Sequence, residues 1–243
     1  MRGLRRAIGW LFGVAIIAML AVMLWAGLRG RQQNLPWTPL DLGEPVGAFT
    51  GRKLTALTGD VSSCRALLDQ AGVRYTIAPP RRGKGQCGYT DGVRLANGGV
   101  RQIVLSPAGL SVSCPVAAAL SVWEWTMVQP AAQRHFGAHV VGIDHFGSYS
   151  CRPIAGSSSS ALSEHATADA IDIAGFRLHD GTRITVARNW KGHTAKAAFL
   201  RDVRDGACQL FATTLSPEYN AAHADHLHLD QAERGSTGWR ACR

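Results

Sequence analysis

Hydrophobic and polar positions divide the chain into a wholly apolar N-terminal run and a longer region of mixed character. No charged residue occurs from Ala7 to Leu28, and the run shows no polar face. At about 1.5 Å per helical residue, it is long enough to cross the roughly 30 Å hydrocarbon core of a bilayer. A core helix of a globular domain normally keeps a polar face. The pattern therefore predicts a transmembrane helix over residues 7–28, after a short N-terminus of residues 1–6.

The mixed region begins with a segment rich in Pro, Gly and Gln, residues 29–53, which predicts a linker. From residue 54 to residue 243, apolar positions recur with helical or strand spacing. The pattern predicts helices over 64–71, 115–136 (kinked or broken at Pro130) and 196–207, strands over 73–77, 93–105 (around an Asn97-Gly98 turn), 140–143, 170–176 and 227–229, and a flexible loop over 156–160. This mixture predicts one α+β domain with a small, mostly antiparallel sheet flanked by helices.

The charges around the apolar run indicate that the domain is exported. Three arginines precede the run and only Arg29 and Arg31 follow closely, so the positive-inside rule places the N-terminus in the cytoplasm. A secretory signal has a shorter apolar region, about 7–15 residues, and small residues at its cleavage site. The sequence has neither feature here, which favours an uncleaved signal anchor over a cleaved signal peptide.

The six cysteines agree with export, because an even number without a C-x-x-C motif is typical of structural disulfides in an oxidising compartment. Nearness along the chain favours the pairs Cys64–Cys87, Cys114–Cys151 and Cys208–Cys242 among the possible pairings.

The net charge of +9 raises the question of a nucleic-acid partner. The basic residues are scattered, however, and no basic motif interleaved with aromatic residues occurs. We therefore expect no nucleic-acid partner; anionic envelope polymers or the membrane surface explain the charge as well.

Candidate chemistry lies in two segments of the second half of the chain. On an extended strand, His226 and His228 would project from the same face, which suits metal binding or proton transfer. An isolated H-x-H pair is more often ordinary surface or core histidine. A second segment adds His165 and Asp172, seven residues apart and flanked by alanines that permit close approach. Two histidines and a carboxylate leave one zinc position open, as catalytic zinc sites do.

Both segments resemble known zinc peptidases. The run S-E-H-A-T-A-D-A-I-D is similar to the S-x-H-x-x-G-x-A-x-D signature of the D-alanyl-D-alanine carboxypeptidases, with Ala168 in place of Gly. The H-x-H pair is similar to that of lysostaphin-type endopeptidases, and the hedgehog signalling domain shares the metal framework. Over roughly residues 64–243 the chain most closely resembles the bacterial extensin-like C-terminal domain family, through the motifs P-V-A-A-A-L, V-Q-P-A-A, G-S-Y-S-C-R, L-S-E-H, N-A-A-H-A-D-H-L-H-L-D and a final C-R.

The resemblance implies a zinc cofactor held by His165, Asp172 and His228. It also implies that His226 orients or deprotonates the attacking water, or stabilises the tetrahedral intermediate. Ala168 raises the question of whether the loop keeps the backbone turn that a glycine allows.

The resemblance implies further roles around these ligands. Asp225 occupies the position of the catalytic Glu of the carboxypeptidases, although on an ideal strand it faces away from His228. Arg152 occupies the position of an Arg that contacts the substrate and the developing oxyanion, or it is a surface Arg beside a disulfide. Ser163 and Glu164 are expected to fix the loop or support His165 from outside.

These resemblances favour a membrane-anchored periplasmic zinc metallopeptidase of the bacterial inner membrane. Its substrate would be a peptidoglycan or other cell-wall peptide, cleaved as a carboxypeptidase or as an endopeptidase. Two alternatives stay open, a non-catalytic cell-wall binding module that contains zinc and a scaffold without metal. The sequence has no H-E-x-x-H, G-x-S-x-G, P-loop or dinucleotide motif. Composition does not exclude a Ser/His/Asp hydrolase, yet no serine lies in a nucleophile elbow.

Overall fold

A computed structural model describes residues 2–28, 31–154, 161–235 and 238–243. Its helices are α1 (Arg2–Leu28), α2 (Thr50–Thr55), α3 (Val61–Gln70), α4 (Cys114–Trp123), α5 (Gln129–Phe136), α6 (Val186–Asn189) and α7 (Ala195–Leu210). Its strands are β1 (Val73–Ile77), β2 (Arg81–Arg82), β3 (Gly88–Tyr89), β4 (Val93–Gly99), β5 (Val104–Ser106), β6 (Val140–Gly147), β7 (Ala170–Leu178), β8 (Arg183–Thr185), β9 (Thr213–Leu215), β10 (Leu227–Asp230) and β11 (Ala241–Cys242). The mixed helix and strand content confirms the predicted class.

The central sheet has the strand order β11-β9-β10-β7-β6-β5, and β8 also pairs with β7. Strand β7 lies in the middle, because its first half pairs with β10, its second half with β8, and β6 runs along it. All these pairings are antiparallel except β5–β6 and β9–β11. The sheet is therefore mostly antiparallel, as predicted. The predicted strand over 93–105 is two strands in different sheets, since β4 pairs with β1 and β5 with β6.

The predicted helix over 115–136 forms as α4 and α5, joined by one π-helical turn, Glu124–Val128. Pro130 lies in the first turn of α5, where a missing N–H costs little, so the irregular turn precedes it. Gly137 ends α5 in a left-handed conformation. The predicted loop over 156–160 lies outside the described residues.

The core lies where the helices cover the sheet. Trp123 of α4 packs against Phe176 of β7 and Phe211, and Phe176 packs against Phe199 of α7. The Trp123 indole N–H donates to the carbonyl of Val203 at 2.8 Å, so this buried ring satisfies its polar group. The helices therefore bury one face of the sheet.

Part of the segment predicted as a linker packs on the domain. Leu42 is only 2% exposed and belongs to the core, and Gln33 is also buried. Helix α2 begins at Thr50, before the predicted domain boundary at residue 54. An apolar side chain that reaches the core gains enough burial to order its neighbours, even in a Pro- and Gly-rich stretch.

Helix α1 has a different surface. Its residues Arg5–Gly27, 23 in all, are long and apolar enough to span a membrane, about 34 Å at the usual helical rise. Its large apolar side chains are exposed, for example Trp10 at 75%. A continuous exposed apolar surface of this kind is stable where lipid or another apolar partner covers it.

The disulfides correct two of the three predicted pairs. The bonds are Cys64–Cys114, Cys87–Cys151 and Cys208–Cys242, so only the last prediction is confirmed. Helix α3 packs against α4, which places Cys64 beside Cys114 across 50 residues of sequence. Nearness along the chain was the wrong criterion, because the packing of elements decides which cysteines meet.

Candidate metal centre

The register of β7 and β10 creates the site. In this antiparallel pair Asp172 lies directly opposite His228. The neighbouring pairs, Ile171 with Leu229 and Ile173 with Leu227, are fully buried and face the core. Because side chains alternate along a strand, the polar pair is directed to the opposite face of the sheet. Strand alternation thus separates the core from the site.

His165 reaches the same point from the loop before β7. It lies in a short 3-10 turn, Glu164–Thr167, in which the Ser163 hydroxyl accepts the backbone N–H of His165. Ala168 ends the turn in the left-handed region, with φ +59°, where a Cβ costs about 1–2 kcal/mol. This residue stands where the resembling carboxypeptidase signature has Gly, and the left-handed turn forms despite the substitution.

The three side chains bring one atom each to a common point. His165 Nε2 lies 3.2 Å from Asp172 Oδ1 and 3.1 Å from His228 Nδ1, and the last two atoms lie 3.0 Å apart. Zinc bonds to N and O of about 2.0–2.1 Å in tetrahedral geometry require ligand atoms about 3.3 Å apart. The triangle therefore has the dimensions of three ligands around one zinc ion.

The outer hydrogen bonds of the two imidazoles direct the N–H of each ring, in its neutral form, away from the ligand cluster. His165 Nδ1 lies 2.5 Å from the carbonyl oxygen of Ser148, and His228 Nε2 lies 3.0 Å from Asp230 Oδ2. A carbonyl and a carboxylate only accept, so each neutral ring directs its N–H outwards. Three lone pairs then converge within hydrogen-bonding distance, and they repel one another unless a cation lies between them. The donor set and its geometry fit a zinc ion.

The pKa values of Asp172 and His228 also indicate that the cluster favours a positive charge. Burial alone would raise the pKa of Asp172, but hydrogen bonds with His165 and His228 hold it well below its usual range. Burial disfavours the charged form of His228, yet hydrogen bonds with Asp172 and Asp230 raise its pKa to about 9. Without a metal, the cluster therefore retains a proton in the position that a metal ion would take.

His226 flanks the three ligand atoms. Its Nε2 lies 3.5 Å from Asp172 Oδ1, while its Nδ1 lies 2.8 Å from Asp225 Oδ1. The Asp225 carboxylate is 54% exposed and contacts the outer nitrogen of His226, not a ligand atom. The ring of Phe146 packs edge-on against His226, with centroids 5.8 Å apart. Asp225 therefore influences the site through His226.

An open groove of about 810 Å³ leads to the ligands and has His228 in its lining. Arg152 lines it with an exposed side chain, together with Ser163 and Glu164. Burial raises the pKa of the Glu164 carboxyl, and the charge of Asp230 adds to this. The structure thus brings the predicted site residues to this groove or to the ligand cluster beside it, except Asp225, which contacts the outer nitrogen of His226. It places Arg152 at the wall, not at the ligands.

Several participants were not predicted. His223 lies over the site, with its ring 5.2 Å from that of His226 and 5.9 Å from that of His228. Burial, then the charges of His226 and His228, lower its pKa to about 4, so it stays neutral at neutral pH. Its place in the histidine cluster was a usable signal. Asp230 also had a usable signal, because it follows His228 by two residues on a strand and so lies on the same face. The Ser148 carbonyl had none, because every residue has a carbonyl.

Comparison with protein families matches residues 62–243 to the family described as Extensin-like protein C-terminus. The match covers three quarters of the chain and contains all the ligand and groove residues described above. Comparisons with curated proteins and with solved structures gave no match.

Proposed function

The chain belongs to the extensin-like C-terminal family, and from the geometry of its site we propose that it is a zinc metallopeptidase acting on peptidoglycan peptides. The observation that carries the proposal is the convergence of one ligand atom each from His165, Asp172 and His228, with His226 Nε2 beside them. A ligand set of two histidines and one aspartate leaves a position for a reactant, whereas structural zinc sites close all four.

A zinc ion in this position would supply Lewis-acid chemistry, making water more acidic and polarising a carbonyl. The protein supplies the proton transfers. Since the Asp225 carboxylate accepts the Nδ1–H of His226, the Nε2 of His226 is a free acceptor facing the ligand atoms. It can take a proton from the attacking water and return it to the leaving amine as the C–N bond breaks. Asp225 orients the ring.

The groove walls would hold the peptide. The exposed guanidinium of Arg152 can bind a carbonyl oxygen or a carboxylate with two parallel N–H groups. Because the groove is open, a peptide that continues on either side of the cleaved bond fits, and both carboxypeptidase and endopeptidase activity are compatible with it.

We place the site in the periplasm. Residues 7–28 would anchor the chain in the bacterial inner membrane with the N-terminus in the cytoplasm. The apolar length of α1 and the arginines before it support this arrangement. Three disulfides with no free cysteine among the described residues are typical of an oxidising compartment.

A second candidate function is a zinc-containing module that binds the cell wall without cleaving it. One observation favours it: the acid at the position of the carboxypeptidase Glu, Asp225, points at His226 and is half exposed. If His226 alone does not suffice as the base, the site would hold metal and ligand without turnover.

Two measurements separate these functions. Zinc content is determined for the full-length protein in detergent micelles, for the wild type, His165→Ala, and the control His193→Ala at an exposed position. Muropeptides are then incubated with the wild type and His226→Ala, and the products are identified by mass spectrometry. We expect one zinc per chain in the wild type and the control, loss of zinc in His165→Ala, and loss of cleavage with retained zinc in His226→Ala.

The contrary outcomes are specific. Absence of stoichiometric zinc, or unchanged zinc in His165→Ala, rejects the metal site. Stoichiometric zinc without metal-dependent cleavage of any muropeptide rejects the peptidase and favours the binding module.

A further inference from the structure

A second cavity, of about 340 Å³, adjoins the groove. Arg234 and Trp239 line both spaces, and two further arginines, Arg52 and Arg240, line the second cavity. Glu233 is the single acidic residue among the described residues of its lining. Three guanidinium groups and one carboxylate give the lining a net positive charge.

Arg240 is fixed in this cavity with part of its hydrogen-bonding capacity unused. Its Nε donates to the carbonyl oxygen of Cys208 at 3.3 Å. Its guanidinium lies against Gly51, where an added Cβ would come within 2.1 Å of Nη1. Its Nη2 is buried and has no partner among the described residues. Burial lowers the pKa of Arg240 to about 10, which reflects a charge without a compensating anion.

Arg234 repeats the pattern in the same lining. Its Nη2 donates to the Thr213 hydroxyl, and its guanidinium lies 4.8 Å from the centre of the Trp239 ring. Its Nε is buried without a partner in the described part of the chain. Buried donors and charges normally have partners, since an unpaired one costs free energy. Two guanidinium groups held in place at one cavity are a preorganised receptor for an anion.

We propose that this cavity binds a small oxyanion, either a carboxylate or a phosphate group. Planar guanidinium groups bind both in bidentate fashion, and an anion in the cavity would balance the charges of Arg234 and Arg240. Because the cavity adjoins the groove, the anion would be a group of the wall substrate held away from the cleaved bond. That last assignment rests on the proposed function; the anion site itself does not.

The test measures thermal unfolding of the full-length protein in detergent micelles. Inorganic phosphate and acetate are titrated separately against chloride at constant ionic strength, with EDTA-treated and with zinc-loaded protein. We compare the wild type, Arg234→Gln, Arg240→Gln and Arg188→Gln, an exposed arginine of α6 outside the cavity. We expect a saturable rise in Tm of about 3–6 °C at ten times Kd for the wild type and the Arg188 variant. We expect no such rise in Tm for Arg234→Gln and Arg240→Gln.

The anion that acts identifies the source, phosphate alone indicating a phosphate group and acetate alone a carboxylate. Absence of a saturable rise with both anions, or an equal rise in Arg234→Gln and Arg240→Gln, overturns the proposal. Without anion, Arg240→Gln removes an uncompensated charge and should unfold at no lower temperature than the wild type. If it fails to fold, the guanidinium NMR signals of the wild type, followed during the same titrations, decide. The EDTA-treated series keeps the result independent of zinc and of catalysis.

Discussion

Asp230 offers a sharp test of the proposed metal centre, because it would act on a zinc ion through His228. Its Oδ2 accepts the Nε2–H of His228 at 3.0 Å, its Oδ1 accepts the backbone N–H of Ala232 at 3.0 Å, and the residue is 4% exposed. The substitution Asp230→Asn keeps size and shape but removes the charge. It therefore changes the electronic state of a ligand without touching the ligand set.

The expected magnitude follows from this geometry. A buried, charge-assisted hydrogen bond is roughly twice as strong as a neutral one and makes the far nitrogen of the ring a better donor to metal. Loss of such an outer partner commonly lowers metal affinity about 10–100-fold, or about 1.4–2.8 kcal/mol. We expect Asp230→Asn to fall in this range. The pKa of His228 in the metal-free protein should fall as well, since Asp230 helps to raise it.

Zinc affinity is measured by competition with a chromophoric chelator, at one pH, for the wild type, Asp230→Asn and the control Asp180→Asn. Asp180 is an exposed aspartate that accepts the N–H of Thr182 in a surface turn. Its substitution therefore makes the same chemical change at a position outside the site. A Kd for Asp230→Asn within twofold of both others would refute the reasoning that the outer hydrogen bond fixes the His228 tautomer.

Three further outcomes are expected from the same structure. The raised pKa of His228 contributes stability to the metal-free protein, on the order of 3 kcal/mol, which is fully present below about pH 6.5 and is lost as the pH rises through 9. Urea unfolding of the EDTA-treated wild type should show this loss, and urea unfolding of His228→Gln should not. In the wild type, Arg101 Nε lies 2.7 Å from the carboxylate of the fully buried Glu124. Arg101→Met leaves that carboxylate without a counter-charge and should lower the unfolding free energy by about 3–5 kcal/mol in the same assay. Replacing Cys87 and Cys151 by Ala should weaken zinc binding in the chelator assay more than loss of the C-terminal disulfide does, and equal effects would contradict this order.

The site could be predicted from the sequence as far as its chemistry depends on strand alternation. Asp172 between two isoleucines and His228 between two leucines are patterns in which the polar side chain must face away from the core. Once β7 and β10 pair, these two residues meet by register alone. Which histidine of the H-x-H pair binds metal could not be decided in this way, because both lie on one face.

The unpredicted parts depend on contacts distant in sequence. The Cys64–Cys114 pairing follows from the packing of α3 on α4, and the burial of Leu42 follows from its packing in the core, which no local pattern encodes. Likewise, β4 and β5 read as one alternating stretch, but each pairs with a different strand. Local spacing predicts the element and its buried face; it carries no information on the partner.

The segment that follows β6 connects one disulfide to the candidate metal centre. The Ser148 carbonyl accepts from the His165 ring, and the Ser150 N–H donates to the His165 carbonyl at 2.8 Å, so the segment holds this ligand at both ends. Tyr149 between them packs against Arg81, at 4.2 Å, from the β2–β3 hairpin, and the Cys87–Cys151 bond ties the same hairpin to the next turn. An oxidised disulfide therefore restrains the backbone that fixes the tautomer of His165. The Cys87–Cys151 disulfide thus also supports the position of the candidate ligand His165.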